Sequence, residues 1–500
     1  MKFKFYYVVS FFLFFLNSCA ELDENPKGFY TDQNFFKSED EVESAILYAY
    51  IVNQTNEYLY GYIELTDLSS EIMYCTPTNT FYGRNEIDLW QVSPLTLGIQ
   101  GFYKYSYIGV NRANTVLDNI NSVDIEISKK NHFKGELYFI RAWHYFNLVR
   151  LFGEVPLRKS SVTSSEDLFL PKSNIQEVYD FIIEDLTNAI DLMQIERKYG
   201  RADKVAAQSL LSKVFLTLAS SKECNSPRYN WVLNSDEMYN QAKEYAGKVI
   251  FDQSIYELQT DLWDIFDVNN KMNSENIYFL STNREKSVGK SGFAAIWMPN
   301  PGVSYSTDFH VSHPFLTNTY LPTTWGYRVY RISNQFVNTH EPGDLRKNLY
   351  SNMLYNADGS LRATYNEHYF SLKYIDPEWI DWDKTSSSPL YLRMSDIALV
   401  YAEASGATSL AYQQINKIRN RAGLSDLQPG LSDLDFREAV RNERKFELSG
   451  EGNRLFELRR TNKVIETLGN VTYPYLYPLP QNEVDVNPKI DFDPEKINLK

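Results

Sequence analysis

The chain has 500 residues and a formal net charge of −14 at pH 7, with 64 acidic against 50 basic residues. This acidic balance argues against nucleic acid and anionic lipid headgroups as partners, because both are bound through basic patches. The length allows one large domain or several, and three cysteines are too few for a disulfide framework.

The N-terminal residues have the pattern of a secretory signal. Two lysines precede an apolar run over residues 6–16, which is too short to span a bilayer as a mature helix. The run ends in LNSC, which is similar to the bacterial lipobox, and its cysteine is Cys19. We therefore predict a signal peptide over residues 1–18, lipidation of Cys19 and a tether over residues 19–37. The alternative is an ordinary cleaved signal in which this cysteine has no role.

An acidic stretch follows the predicted lipidation site, with Glu21, Asp23 and Glu24 close together. It resembles the export tag that sends lipoproteins of the Bacteroidetes type to the outer cell surface. We therefore expect a lipid-anchored protein at the cell surface, on the outer membrane.

Helical periodicity dominates residues 38–251 and 390–500. Ser38 and Glu41 fit a capping box at the start of the first helix. The helix predicted over 134–152 is apolar on most of its circumference, which indicates burial between two neighbours. The other predicted helices cover 102–120, 174–193, 203–219, 236–251, 395–405, 412–422, 436–449 and 453–468. Helices of this length with short connections indicate a mostly α fold, a tetratricopeptide-like scaffold of stacked helical hairpins.

The character of the sequence changes between residues 252 and 389. Five of the eight tryptophans lie here among Gly, Pro, Ser and Asn, and long helical patterns are absent. A loop of this length without secondary structure is uncommon in a compact domain. We therefore predict an irregular, loop-rich subdomain over residues 252–389 that covers a scaffold formed by residues 38–251 and 390–500.

Ten segments of the chain resemble the SusD/RagB-type nutrient-uptake lipoproteins, and the likeness extends over almost the whole length. One departure is Tyr103, where many relatives have a tryptophan. The matching segments are the lipobox at Cys19, DEVESA at 40–45, YIGVNRAN at 107–114, ELYFIRAWHYFNLVRLFGEVPL at 136–157, GRADKVAA at 200–207, YLRMSD at 391–396 with YAEA at 401–404, INKIRNRAGL at 415–424, RNER at 441–444, LFELRR at 455–460 and YPLPQNEV at 477–484.

The resemblance implies a tetratricopeptide-like helical scaffold with an irregular, loop-rich half that faces the ligand. It also implies a partner. It implies a TonB-dependent SusC-like outer-membrane transporter, over which the lipoprotein sits as a hinged lid. It also implies ligand contacts from two loop regions, one around residues 74–90 and the other around residues 297–328.

Both loop regions are rich in aromatic residues. A sugar-binding surface needs flat aromatic faces for the rings and amide or guanidinium groups for the hydroxyls. The alternative is that most of these aromatic residues belong to the core. The candidate ligand-binding residues are Trp297, Trp325, Tyr82, Arg84, Tyr305, Tyr320 and Trp90, with Tyr74 and Tyr327 beside them.

Several polar residues on the predicted helices are interpreted as structural. His144, on the helix predicted to be buried, is interpreted as a core histidine with satisfied hydrogen bonds. Four arginines are interpreted as scaffold residues that bond helix-end carbonyls or carboxylates such as Glu443 and Glu447. They are Arg141, Arg150, Arg444 and Arg459.

Catalytic patterns are weak in this chain. Residues 376–383 contain four carboxylates and two tryptophans, but clustering in sequence does not establish the pair about 5–10 Å apart that a glycosidase needs. We interpret this segment as a solvated loop, with an ion or ligand contact as the alternative. His310 and His313 lack a third metal ligand. We predict no catalytic residue, no metal site and no cofactor.

The leading hypothesis is therefore a surface lipoprotein that binds oligosaccharide or polysaccharide nutrients and delivers them to a SusC-like transporter. A peptide-binding uptake lipoprotein is the alternative within the binding class. A surface glycosidase and a transporter subunit without a ligand of its own are the alternatives from other classes.

Overall fold

The computed structural model describes residues 35–76, 83–285, 292–299, 309–312, 320–322, 326–327, 329–381 and 383–490. The predicted signal peptide, Cys19 and most of the predicted tether lie outside these residues. No helix long and apolar enough to span a membrane occurs in the described part of the chain.

The first helix, α1 (Glu39–Tyr50), begins as predicted. Glu41 N donates to Ser38 Oγ over 3.3 Å, and Ser38 N donates to the Glu41 carboxylate over 3.0 Å. The capping box is therefore confirmed. The helices that follow are α2 (Asn56–Ile63), α3 (Arg84–Asp88), α4 (Leu97–Asn119), α5 (Ile127–Phe152), α6 (Ile175–Leu192), α7 (Lys204–Glu223), α8 (Ser235–Phe251), α9 (Phe293–Trp297), α10 (Asn334–Asn338), α11 (Met394–Ser405), α12 (Ser409–Arg421), α13 (Asp433–Glu447), α14 (Arg454–Arg460), α15 (Val464–Leu468) and α16 (Gln481–Val486).

The long helices pack against their neighbours in sequence, as helical hairpins do. Helix α4 packs against α5, α5 against α6, and α7 against α8. Helix α11 also packs against α8, so the C-terminal helices continue the stack across the irregular segment. Every residue of α5 from Phe139 to Phe152 is buried, as its apolar circumference predicted. The mostly α, helical-hairpin prediction is confirmed.

One predicted helix is wrong in its continuity. The segment predicted as a single helix over 453–468 is split into α14 and α15. Between them Asn462 has φ of +55°, a left-handed conformation that no α-helix can include. Its side-chain amide donates to the carbonyls of Cys224 and Asn225, so a distant part of the chain holds this break.

The strands are short and mostly lie in the irregular segment, and all their pairings are antiparallel. Two sheets have four strands each, in the orders β1-β7-β11-β8 and β10-β9-β5-β6. Their strands, with the two two-stranded pairs β12-β4 and β2-β3, are β1 (Met73–Cys75), β2 (Val155–Pro156), β3 (Lys172–Ser173), β4 (Asn276–Phe279), β5 (Phe309–Ser312), β6 (Tyr320–Pro322), β7 (Tyr330–Ser333), β8 (Tyr350–Ser351), β9 (Met353–Asn356), β10 (Leu361–Thr364), β11 (His368–Ser371) and β12 (Leu390–Arg393).

The irregular segment shares its core with the helical scaffold. One continuous cluster of buried apolar residues includes Trp143 on α5, Tyr278 on β4 and Trp297 on α9. The rings of Trp143 and Tyr278 lie 5.6 Å apart, nearly perpendicular to each other. This shared packing holds the described part of the irregular segment in a fixed position on the helices. The boundaries of the predicted subdomain stay a prediction.

Candidate functional site

The two aromatic loop regions meet at the pairing of β1 with β7. Cys75 on β1 lies opposite Tyr330 on β7, and Thr76 N donates to Val329 O over 3.1 Å. Because the strands are antiparallel, the end of β1 is beside the start of β7. Thr76, which follows β1, and Val329, which precedes β7, therefore lie together at one end of this strand pair, which we call the β1–β7 edge.

Tyr327 is the exposed aromatic residue at this edge, with 42% of its surface accessible. Its backbone N donates to Ala295 O over 2.7 Å, which ties the segment to α9. A Cβ on the preceding Gly326 would lie 2.0 Å from Met298 O, so only glycine permits this close approach. Tyr327 thus presents a ring to solvent from a backbone that is fixed in position.

A cross-strand pair extends the edge along the sheet. Tyr74 lies opposite Arg331, and the Arg331 guanidinium is 5.8 Å from the centre of the Tyr74 ring. Tyr74 OH donates to Glu367 O over 3.1 Å, and burial raises the pKa of this phenol. The sequence did not indicate Arg331 as a site residue, because the strand pairing that aligns it with Tyr74 leaves no local signal in the sequence.

Trp297 lies under this edge and not on it. Its side chain has 0% exposure, and its ring centre is 5.0 Å from that of Tyr330 and 4.9 Å from that of Tyr374. Gly450 packs against the far side of the indole. No face of Trp297 is open for a sugar ring, which corrects the expectation of an exposed platform at this position.

Arg84 is also buried beneath this edge, and we call the buried residues beneath the edge the floor. Its Nε donates to Glu64, and Tyr330 OH donates to the same carboxylate over 2.5 Å. Burial lowers the pKa of Arg84, but the interactions with Glu64, Tyr330 and Tyr60 together raise it by more, so the guanidinium stays charged. The expectation of a guanidinium at the rim is corrected here, because Arg84 is only 3% exposed.

Trp90 is a scaffold residue that packs against the C-terminal segment of the chain. Its ring stacks on Tyr477 with the centres 5.9 Å apart and the planes at 20°. Thr472 Oγ1 donates to the carbonyl of Trp90, and the indole is 8% exposed. The expectation that Trp90 offers an exposed platform to a ligand is therefore also corrected.

The other candidates fall at or beyond the limits of the described residues. Tyr82, Tyr305 and Trp325 lie outside them. Tyr320 belongs to β6, where its backbone pairs with Ser312 on β5. Ligand contact by these four residues stays a prediction.

The carboxylate cluster at residues 376–383 is not entirely a solvated loop. Asp376 is fully buried, accepts from Arg284 Nη1 over 2.9 Å and accepts from Ser386 N over 2.6 Å. Arg284 also pairs with the exposed Glu378. Asp376 is thus a structural residue, which corrects its interpretation as solvated. Among the described residues no group of three or more His, Cys, Asp or Glu side chains could hold a metal ion.

Comparison with known proteins identifies two matching regions. Residues 22–216 match the SusD-like profile described as starch-binding and associating with the outer membrane, and residues 317–474 match the SusD family profile. SusD-like protein P25 of Formosa agariphila is 26% identical, with 98% of each chain covered. The chain belongs to the SusD/RagB family.

Solved structures agree with this family in fold. A laminarin-binding SusD-like protein matches with a TM-score of 0.74 at 20% identity, over 92% of this chain and all of the other. Surface glycan-binding protein A of Bacteroides thetaiotaomicron, solved with laminarihexaose, matches with a TM-score of 0.71 at 17% identity, over 90% and 98% of the chains.

The SusD-like scaffold uses its motif arginines structurally, as predicted. Arg141 makes two hydrogen bonds to Asp185, and Arg444 Nη2 lies 2.8 Å from Asp396 Oδ1. Glu447, expected among the acceptors, pairs with Arg346, Arg393 and Arg421. Sequence alone indicated that these charges are buried but not which charges pair.

His144 departs from its expected state, and the structure resolves the pairing of two cysteines that the sequence left open. His144 is in the core as predicted, but neither ring nitrogen has a hydrogen-bond partner among the described residues, so its expected satisfaction is wrong. Cys75 and Cys224, whose pairing the sequence left undecided, are both free thiols. Burial raises the pKa of Cys75 to about 12, which keeps it protonated and unreactive.

Proposed function

We propose that this SusD/RagB family member is a cell-surface lipoprotein that binds oligosaccharide or polysaccharide nutrients. It delivers them to a SusC-like TonB-dependent outer-membrane transporter. The observation that supports the proposal is the pairing of β1 with β7, which places Tyr74 beside Arg331 and joins Thr76 to Val329 at one edge, above the buried Trp297.

The chemistry of this edge suits neutral sugars. Tyr327 offers an exposed ring, and Arg331 beside Tyr74 offers a guanidinium. Aromatic faces stack on sugar rings, and guanidinium groups bond hydroxyls. We propose Tyr82, Trp325, Tyr305 and Tyr320 as further contacts, with Trp297, Arg84 and Trp90 supporting them from below. Laminarin is the first ligand to try, because two proteins of this fold carry it or its hexasaccharide in their names.

We propose binding without catalysis. A glycosidase needs two carboxylates placed on either side of a sugar bond. In the cluster that came nearest to this pattern, Asp376 is buried and held by Arg284 and Ser386. Incubation with polysaccharide for hours and measurement of released reducing ends tests this point, and steady release would contradict it.

The delivery step rests on the membrane anchor and on the partner. Lipidation of Cys19 would hold the chain at the outer membrane, and the family description supports an outer-membrane association. The net charge of −14 makes part of the contact with the transporter electrostatic. The lipoprotein should co-purify with a large β-barrel at low salt and less so at high salt. Recovery only as a lone monomer at low salt would contradict the lid arrangement.

The ligand class is tested by titration of purified protein with a glycan panel, including laminarin and starch oligosaccharides, and with a peptide pool. Tyr327→Ala should weaken glycan binding, because it removes an exposed ring at the edge. Tyr48→Ala is the matched control, since Tyr48 is a comparably exposed tyrosine on α1. Saturable binding of peptides but not glycans would overturn the proposal in favour of peptide uptake.

A further inference from the structure

Two chambers that share wall residues lie at the C-terminal end of α7, apart from the β1–β7 edge, and the inner one also touches α14. The inner chamber has a volume of about 20 Å³ and is lined by Arg150 and Arg459. The outer chamber has a volume of about 550 Å³ and is lined by Ser221 and Lys222. Residues 226–229 contribute to the walls of both chambers.

The described walls of both chambers carry positive charge and no carboxylate. Arg150, Arg459 and Arg460 line the inner chamber, Lys222 lines the outer chamber, and Arg228 lines both. In a chain with a net charge of −14, a concave surface whose charged side chains are all cationic is a marked local reversal. Such a surface concentrates anions.

The two buried arginines of the inner chamber have only neutral partners. Arg150 donates from Nε to Phe146 O and from Nη2 to Asn147 Oδ1. Arg459 donates from Nε to Pro474 O and from Nη1 to Arg150 O. Burial lowers the pKa of Arg459 to about 10 because no carboxylate compensates the charge.

Other buried arginines of the fold are compensated. Arg141 Nη2 lies 2.7 Å from Asp185 Oδ1, and Arg460 Nη2 lies 2.7 Å from Glu403 Oε2. A buried cation without an anionic partner costs several kcal/mol, about the loss measured when one partner of a buried pair is removed.

Arg150 and Arg459 have no such carboxylate partner. The Arg150 guanidinium lies over the rings of Phe146 and Phe456, 3.7 and 3.6 Å from their centres, and that of Arg459 lies 4.7 Å from the centre of the Tyr477 ring. Aromatic faces compensate only part of the cost of a buried charge, which leaves room for an anionic ligand.

Donors without acceptors line both chambers. Arg459 Nη2 is buried and has no hydrogen-bond partner among the described residues, although its side chain lines the inner chamber. Ser221 Oγ, on the wall of the outer chamber, is likewise buried and without a partner there. Buried polar groups are rarely left in this state, so each donor calls for an acceptor.

We propose that the two chambers form a binding site for a small molecule with an oxyanion group, a carboxylate or a sulfate. The oxyanion enters the inner chamber, which has room for about one or two terminal oxygen atoms, and accepts from Arg459 Nη2. The rest of the molecule occupies the outer chamber beside Ser221 and Lys222. The site is separate from the neutral-sugar edge and takes a different class of ligand.

Titration calorimetry with sulfate, glucuronate and glucose, in chloride buffers of matched ionic strength, tests the proposal. Sulfate or glucuronate should bind and glucose should not. Lys222→Met should weaken the binding by about fivefold, because one nearby charge is lost. Lys243→Met is the matched control, a half-buried lysine on α8 that lines neither chamber, and it should bind like the wild type.

The source of the oxyanion follows from the same titration. Tighter binding of glucuronate than of sulfate assigns the group to an acidic sugar, and the reverse order assigns a free inorganic oxyanion. Equal affinity for glucose and glucuronate, or equal losses in the Lys222→Met and Lys243→Met variants, would overturn the site.

A crystal soaked in selenate gives a readout that does not depend on a variant. An anomalous peak within hydrogen-bond distance of Arg459 Nη2 is the expected result. Ser221→Ala, which removes one hydroxyl, should fold normally and bind the anion more weakly. No peak at saturating selenate, together with unchanged binding in Ser221→Ala, would contradict the proposal.

Discussion

The imidazole of His144 on α5 occupies the space that a side chain at Gly109 on α4 would fill. A Cβ built on Gly109 would lie 2.1 Å from His144 Nε2. On its other side the imidazole meets the Tyr58 ring edge-on, with the centres 5.1 Å apart. The missing side chain at Gly109 and the ring of His144 together set how closely α4 and α5 approach.

Gly109→Ala should therefore destabilise the protein by about 1–3 kcal/mol, because the added methyl forces the packed helices apart. The measurement is the midpoint of urea unfolding followed by circular dichroism. Gly247→Ala is the matched control, since its Cβ would meet Tyr401 at an ordinary 3.6 Å. That change should stabilise α8 by about 0.5–1 kcal/mol. Equal effects of the two substitutions would contradict the close contact.

His144 should make the free energy of unfolding of the protein depend on pH. Burial lowers its pKa to about 3, whereas an unfolded histidine titrates near about 6.5. Between these values the unfolded chain binds a proton that the folded chain does not, so stability falls as the pH falls. The loss is about 1.4 kcal/mol per pH unit.

The opposite sign holds for Asp67, whose pKa burial raises to about 6. The stability that Asp67 contributes is lost as the pH rises through that value. The slopes of stability against pH that Asp67 and His144 produce therefore partly cancel. The informative quantity is therefore the difference between His144→Leu and the wild type. The variant should lose stability less steeply between pH 6 and pH 4, whatever its stability at pH 7. Parallel curves for the two proteins would contradict the pKa of His144.

Local signals made the helical scaffold predictable. The cap at Ser38 uses a side chain three residues before its partner Glu41, and the burial of α5 follows from its apolar circumference. Such patterns involve neighbours in sequence, so they can be recognised without the fold. The break at Asn462 could not be predicted, because its amide is held by carbonyls of Cys224 and Asn225.

The burial of the individual candidate residues could not be predicted from the sequence. Helix α9 is only five residues long and buried throughout, so no periodicity separates a buried from an exposed face at Trp297. Arg84 is buried because it pairs with Glu64, 20 residues earlier in the chain, which composition does not reveal. The edge itself depends on the register between β1 and β7, more than 250 residues apart along the chain.

The anchor gives a prediction at the N-terminus. Cys19→Ala should release the protein from the membrane fraction and leave it folded, because the attachment is covalent lipid and not a packed element. Fractionation before and after a high-salt wash measures the effect, and the wild type should resist the wash. Retention of the variant in washed membranes would argue against lipidation at this residue.

The buried charge network should be intolerant of a missing partner. Glu447 accepts from Arg393 and Arg421, each over 2.6 Å, and is 3% exposed. Glu447→Gln should cost about 3–5 kcal/mol, since it removes one negative charge from a buried network, and Arg393 and Arg421 must then share the remaining carboxylates, Glu275 and Glu451. Glu244→Gln, which affects an exposed pair with Lys248, should cost less than about 1 kcal/mol. Similar midpoints in guanidinium chloride for the two variants would contradict this ranking.

Trp297 and Tyr327 should separate stability from binding. Trp297→Ala removes a fully buried indole and should lower the free energy of unfolding by about 3–5 kcal/mol. Tyr327→Ala removes an exposed ring and should leave unfolding within about 0.5 kcal/mol of the wild type. It should weaken binding of the glycan that the panel selects by about 1–3 kcal/mol.

The two measurements are chemical unfolding and titration of the folded fraction with that glycan. Trp297, in the floor, acts by holding the loops in place, whereas Tyr327, at the rim, acts by touching the sugar. Trp297→Ala should therefore shift the unfolding midpoint first and affect binding only where the loops lose their position. An unchanged midpoint in Trp297→Ala would contradict its burial. Unchanged glycan binding in Tyr327→Ala would move the ligand contacts from Tyr327 to the loop that contains Tyr82.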